Sequence, residues 1–217
     1  MIVDLEEYFT ENVIRFYRRH GRKFYWRTNH LDSFQWLITE VFLRKTRAEN
    51  VEGVLVNFLK KYKDFMDIYE AEERAIIDEI SILGLGKQRA VTLKKISHIV
   101  LTQYNGQLPD LKKNLEKIYG IGMYISNAIL CFCYGKHLPV IDVNVSRVVT
   151  RFFNLGKKKD LRNNKELTDF CTRLLPTKNV KEYNWGLLDF GALICKPKPI
   201  CKDCFLKTKC NTSPNKS

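Results

Sequence analysis

The stretch Leu115–Leu130, LEKIYGIGMYISNAIL, decides how the chain is read. Gly120 and Gly122 stand two apart between apolar segments of helical spacing. Glycines permit a tight turn with positive φ and let another backbone come close. The helix that follows starts near Met123, and its first amide N–H groups have no intrahelical partner. Such an end is a natural phosphate site. The spacing predicts a helix–hairpin–helix, although Gly-x-Gly by itself fits a plain structural turn equally well. Tyr124 stands two residues beyond the second glycine, where the turn alone gives no reason for a phenol.

Helical periodicity dominates the rest. Residues 5–19 place Leu5, Phe9, Val13 and Phe16 on one face. Residues 34–43 are strongly apolar with one carboxylate, Glu40, among them. The pattern predicts further helices over 49–62, 74–83, 87–103, from Pro109-Asp110 to about 118, over 122–134, 143–153, 165–175 and 181–194. No segment alternates as a strand would, so the predicted class is all-α.

The chain has 217 residues, 45% of them hydrophobic, enough for one large domain or two small ones. No apolar run is long enough to span a bilayer. The N-terminus carries Asp4, Glu6 and Glu7 at its start and lacks the order of an export signal. A cytoplasmic, nucleoid-associated protein with no membrane partner is expected. The net charge of +13 attracts polyanions, of which nucleic acid is the commonest.

The seven cysteines fall into two groups. Cys131, Cys133 and Cys171 lie in apolar surroundings and read as buried thiols. Cys195, Cys201, Cys204 and Cys210 are spaced C-x5-C-x2-C-x5-C, and in a reducing compartment they suggest metal rather than disulfides. Four thiolates hold either a 4Fe-4S cluster or a tetrahedral zinc, and spacing does not separate the two. The loop KPKPI between the first two thiols carries Lys196 and Lys198, which suit DNA phosphates or simply solvent.

Two carboxylates stand out. Asp142 follows the apolar LPVI and precedes an apolar helix, so it reads as an N-cap that can also present an oxygen to a pocket. Glu40 sits within LITEVFL, where a carboxylate is rarely buried without a partner or a purpose.

The hairpin IYGIG followed by VIDVNVSRV resembles the helix–hairpin–helix DNA glycosylase superfamily, which includes endonuclease III and MutY. FYWR at 24–27, WLITEVFLRKT at 36–46, GLGKQRAVTLKKIS at 84–97 and the four-cysteine tail extend the likeness over nearly the whole chain. The first gap between thiols is one residue shorter than the commonest family pattern. The resemblance implies a two-lobed all-α fold with a C-terminal iron–sulfur loop. Residues 28–135 would form a six-helix barrel lobe with the hairpin, and 1–27 plus 136–217 an iron–sulfur lobe. The active site would lie in the cleft between them. It favours the 4Fe-4S cluster over zinc, and a monomer acting on mismatched double-stranded DNA.

The resemblance also implies roles. Asp142 would face the sugar as it gains oxocarbenium character, Glu40 would handle protons or water near the target base, and Asn144 would bond the sugar or the carboxylate. Gly120 and Gly122 would grip backbone phosphate. Arg44, with Lys45, would fill the gap left by the flipped base and face the orphaned partner. Trp26 and Arg27, with Tyr25, would line the base pocket or pack the core. Bifunctional relatives of endonuclease III carry a lysine where Tyr124 stands; a phenol forms no Schiff base, so a monofunctional enzyme is expected. Arg44, the GKQRAVTLKKIS and NWGLLDFGALIC segments, and the seven residues after Cys210 favour thymine or uracil opposite guanine as the substrate. An adenine glycosylase is the alternative enzyme, and a DNA-structure-binding module the alternative without catalysis.

Overall fold

The computed structural model describes residues 4–156 and 164–212. Among the described residues every regular element is helical. The chain divides into two units, one built of residues 23–134 and the other of 1–22 with 135–217.

The contiguous unit holds α2 (Tyr25–Thr28), α3 (Ser33–Leu43), α4 (Ala48–Lys61), α5 (Phe65–Glu70), α6 (Glu73–Glu79), α7 (Gly86–Tyr104), α8 (Lys112–Leu115) and α9 (Met123–Phe132). Its centre is α3, which packs on α4, α7 and α9. An apolar helix with no polar face belongs in a core, and Phe34 through Phe42 of α3 are buried apart from Gln35. A capping box fixes where α3 starts: Asp32 accepts from the Gln35 backbone, and Gln35 accepts from the Asp32 N–H.

The second unit joins the chain's two ends. It holds α1 (Leu5–His20), α10 (Val143–Phe153), α11 (Lys165–Arg173) and α12 (Val180–Leu193). The apolar face of α1, Phe9, Val13 and Phe16, meets Val145, Val148, Phe152, Leu187 and Phe190 in one core. The four-cysteine tail is fastened to it by Leu206 (1% exposed) and by Phe205, whose ring stacks on Phe16 at 5.2 Å.

Two predicted segments differ. The helix expected over 74–83 ends at Glu79, and a 3₁₀ turn, Ser81–Leu83, leads into Gly84 at φ +70. The helix expected from Pro109 to Ile118 is a single turn, Lys112–Leu115. Beyond it the bonds Ile118 N–H to Leu115 O and Ile121 N–H to Ile118 O tighten the chain into the glycine hairpin. Phe65–Glu70 was not predicted; its six residues are too few for a period to show, and its only sign is the N-cap Asp64, which accepts from the Asp67 N–H at 2.9 Å.

Candidate active site

Asp142 is the N-cap of α10. One carboxylate oxygen accepts the backbone N–H of Asn144 at 2.8 Å and of Val145 at 2.7 Å. The other accepts the Asn144 side-chain amide at 2.7 Å. The Asn144 carbonyl in turn accepts from Arg147 Nη2 at 2.7 Å. Arg147 also donates to the carbonyls of Gly191 at 2.9 Å and of Cys195 at 2.8 Å. Arg147 thus orients the amide that orients the carboxylate. Burial raises the Asp142 pKa above the ordinary value, while the bonds from Val145 and Asn144 and the Arg147 charge pull it back. The result is a carboxylate held by hydrogen bonds with no direct ion pair among the described residues, so its field stays available to a cationic group.

Neighbouring elements fix this geometry. Buried Asn184 of α12 accepts the Val140 N–H at 2.9 Å and donates to Leu138 O at 3.0 Å, clamping the segment that leads to Asp142. Gly191 lets α12 approach α10 closely: a Cβ there would sit 2.8 Å from the Asn144 Cβ.

The four thiols of Cys195, Cys201, Cys204 and Cys210 line one cavity of about 420 Å³, with Val148, Phe152 and Ile194 among its apolar walls. No group of three or more His, Cys, Asp or Glu among the described residues is arranged to hold a single metal ion. Burial pushes the Cys204 thiol up to about 11 and raises Cys195, the latter opposed by the neighbouring Arg151. Arg151 donates to Cys195 Sγ at 3.6 Å, to Lys196 O at 2.6 Å and to Pro197 O at 2.9 Å. It braces the KPKP loop, on which Lys196 and Lys198 are both exposed.

In the other unit, the hairpin has one glycine that the turn requires and one that it does not. Gly120 has φ +77, a region costly to other residues, and a Cβ there would lie 3.2 Å from Thr92. Gly122 has φ −100, and a Cβ there would meet nothing within 4 Å. Positive φ therefore accounts for Gly120 alone, and Gly122 leaves the helix end bare toward the outside. Tyr124 is half-buried in the first turn of α9. Arg44, exposed at the end of α3, donates to the Gly120 carbonyl and so ties that helix to the hairpin. Lys45 is exposed at φ 54. Arg44 and Lys45 line a cavity of about 310 Å³ with Leu85, Gln88 and Arg89.

Glu40 is 2% exposed in the middle of α3. Trp26 is 3% exposed, its ring stacked on Phe24 at 4.6 Å, and the Arg27 guanidinium lies 5.3 Å from the same Phe24 ring. Glu40 belongs to one unit and Asp142 with Asn144 to the other.

Sequence reasoning missed four residues. Arg147 was legible in principle, being one helical turn beyond Asn144. Arg151, Arg89 and Leu85 carried no local sign. Leu85 is 49% exposed at φ 54, an unusual place for a leucine in both respects.

Comparison with known proteins gives concordant results. The HhH-GPD superfamily base excision DNA repair protein family matches residues 38–173. A thymine/uracil-DNA glycosylase of Methanothermobacter thermautotrophicus is 35% identical, over 94% of this chain and 92% of its own. An endonuclease III of Thermotoga maritima is 31% identical, over 95% and 92%. The solved structure of a thermostable thymine-DNA glycosylase superposes with a TM-score of 0.91 at 33% identity, covering 96% of both chains.

Proposed function

The chain belongs to the HhH-GPD superfamily of base excision DNA repair proteins, and from that membership we propose that it is a monofunctional DNA glycosylase that removes thymine or uracil opposite guanine in double-stranded DNA. The observation that carries this reading is the Asp142 carboxylate, oriented by Asn144 and Arg147 and not neutralised by an ion pair. The names of the 35%-identical relative and of the superposed structure support the choice of base.

In this reading the target nucleotide leaves the stack before any bond breaks. Gly120, Gly122 and the first amides of α9 take the backbone phosphate. Arg44 and Lys45 enter the space the base vacates, and Arg44 offers its guanidinium to the O6 acceptor on the pairing edge of the orphaned guanine. As the N-glycosidic bond lengthens, Asp142 stabilises the positive charge on the sugar, and water completes the hydrolysis. Glu40 orients the base or that water. Tyr124 occupies the place of a lyase amine and supplies no nucleophile that forms a Schiff base, so the product is an intact strand with an abasic site. Trp26 and Arg27 hold the α2 wall in place, and Lys196 and Lys198 contact phosphate.

The donor set at the tail fits a 4Fe-4S cluster. Four thiols surround one cavity with apolar walls, whereas a zinc ion asks for four donors converging on one point. Bound there, the cluster would fix the loop structurally, with Cys195, Cys201, Cys204 and Cys210 as its ligands; hydrolysis of the glycosidic bond needs no electron transfer. Metal analysis of the purified protein should give iron and sulfide in equal amounts, and zinc alone would refute the assignment.

Single-turnover excision on duplexes holding T·G, U·G, A·8-oxoguanine and A·G tests the function. Release of thymine and uracil is expected. Release of adenine alone overturns the substrate, and tight binding without release of any base overturns the enzyme.

A further inference from the structure

We propose that Arg89 is the positioning residue of the base-extrusion apparatus: its buried guanidinium locks the Arg44–Lys45 loop and the Leu85 turn together as two prongs around one cavity. This rests on the function proposed above and adds a residue and a step to it.

The last carbonyls of α3 have no intrahelical partner. Arg89, from the first turn-and-a-half of α7, fills that end. Its Nε donates to Val41 O at 3.4 Å, and its Nη2 donates to Phe42 O at 3.2 Å, Arg44 O at 2.6 Å and Thr46 Oγ1 at 2.6 Å. Its Nη1 donates to Leu83 O at 3.0 Å and to Gly84 O. One planar group therefore joins residues 41–46 to residues 83–84.

Arg89 is only 4% exposed, and all its hydrogen-bond partners are neutral. Burial and the nearby Arg44 charge both push its pKa down. A buried cation without a counter-charge is a costly way to finish a helix, only partly offset by the negative end of the α3 dipole. Capping alone would be met by a glycine beyond the helix end.

What the guanidinium holds accounts for that cost. Lys45, within the first joined segment, and Leu85, next to the second, are both non-glycine residues in the left-handed region, at φ 54 each. Such strain persists only where the surroundings over-determine it, and it gathers at functional sites. Both side chains are exposed, and both line the same cavity of about 310 Å³ as Arg44 and Arg89. The loop bears a guanidinium and an ammonium for polar edges and phosphate; the turn bears an apolar leucine suited to slip between bases. Both must enter the duplex with fixed spacing. A lysine at position 89 would offer three donors from one point and could not span both segments.

The experiment compares wild type with Arg89→Met and Arg89→Lys. One readout is 2-aminopurine fluorescence beside the target base on binding a T·G duplex. A second is the single-turnover rate on T·G and on the same thymine opposite an abasic site, which needs little extrusion. Thermal melting and affinity for an abasic-analogue duplex report on folding and on phosphate contacts. Arg89→Met should reduce the fluorescence change and slow T·G excision by on the order of 10- to 100-fold, the range a prong displaced by up to an ångström would give, with a several-fold smaller loss opposite the abasic site. Arg89→Lys should recover little. Equal losses on both substrates, or a wild-type fluorescence change in either variant, overturn the proposal in favour of a plain structural cap. Should Arg89→Met not fold, Arg89→Lys alone is judged by the same criteria. If wild type excises neither base, the proposed function fails, while the fluorescence comparison still decides the role of Arg89.

Discussion

Replacing Gly191 by alanine separates the support of the Asp142 carboxylate from the stability of the unit that carries it. The added methyl would lie 2.8 Å from the Asn144 Cβ and 3.2 Å from the Asn144 backbone carbon and oxygen. Ordinary contact begins at 3.4 Å, so α12 and the start of α10 must part by about 0.6 Å, and overpacking of this kind costs about 1–3 kcal/mol. The strain falls on the residue whose amide holds Asp142 and whose carbonyl is held by Arg147. A misplacement of ~1 Å in an active site costs on the order of 100-fold, so a shift of about 0.6 Å should slow excision roughly 10-fold. Gly186→Ala is the matched control. Its methyl would meet Val13 O at 2.8 Å and Val13 Cγ1 at 2.9 Å, on the face of α12 that packs on α1. Both variants should melt several degrees below wild type, at about 2–4 °C per kcal/mol for a chain of this size. Only Gly191→Ala should lose rate in single-turnover excision with enzyme in excess at a temperature where both are folded. A wild-type rate in Gly191→Ala, or equal slowing in the two, would show that the α10–α12 contact does not position Asp142.

Three further outcomes are expected. Asp142→Asn keeps the cap to Asn144 and Val145 but sets two amide NH₂ groups face to face, costing about 1–3 kcal/mol; excision should vanish with DNA binding retained, and adding Asn144→Asp should restore the melting temperature but not the activity, whereas excision at the wild-type rate would remove Asp142 from the mechanism. Because burial raises the Asp142 pKa above its ordinary value of 3.8, the fold's preference for the neutral form is complete below that value and is lost as pH rises through the raised pKa. In the proposed reaction excision runs through the anion, so its acid limb should lie above the ordinary aspartate range; Asn144→Leu, which deletes a bond to the anion, should move the limb to higher pH, and a move to lower pH contradicts the assignment. Tyr124→Lys should allow borohydride to trap a covalent complex with substrate DNA, and no trapping in a variant that still binds and excises would show that position 124 does not face the sugar.

The sequence made the helices legible wherever an apolar stripe ran for ten residues or more, as in α1, α7 and α10. It misplaced the segment after Pro109 because tight i→i+3 turns there bury Leu115 and Ile118 without a helical period. Asp142 could be read both as a cap and as a reagent because each follows from its position before an apolar helix. The arginines around the sites could not be read in this way. Arg89 reaches carbonyls more than forty positions away and Arg151 braces a loop at similar separation, and no local pattern encodes a partner so distant. The exposed Leu85 was equally silent, since exposure depends on what the rest of the chain leaves uncovered.

The discontinuous chain path of the second unit sets an order of assembly during synthesis. Residues 23–134 are continuous and can fold as soon as they leave the ribosome. The first helix cannot: Phe9 waits for Phe152, and Phe16 waits for Phe190 and Phe205, near the far end of the chain. Its greasy stripe stays uncovered until those partners emerge, a hazard that long-range contacts always carry. The four thiols emerge in the same last stretch, so burial of the first helix and closure of the thiol loop become one late event. Chains cut short before Val180 should therefore be cleaved by protease within α1 while residues 23–134 resist; uniform resistance would show that the early helix finds shelter elsewhere.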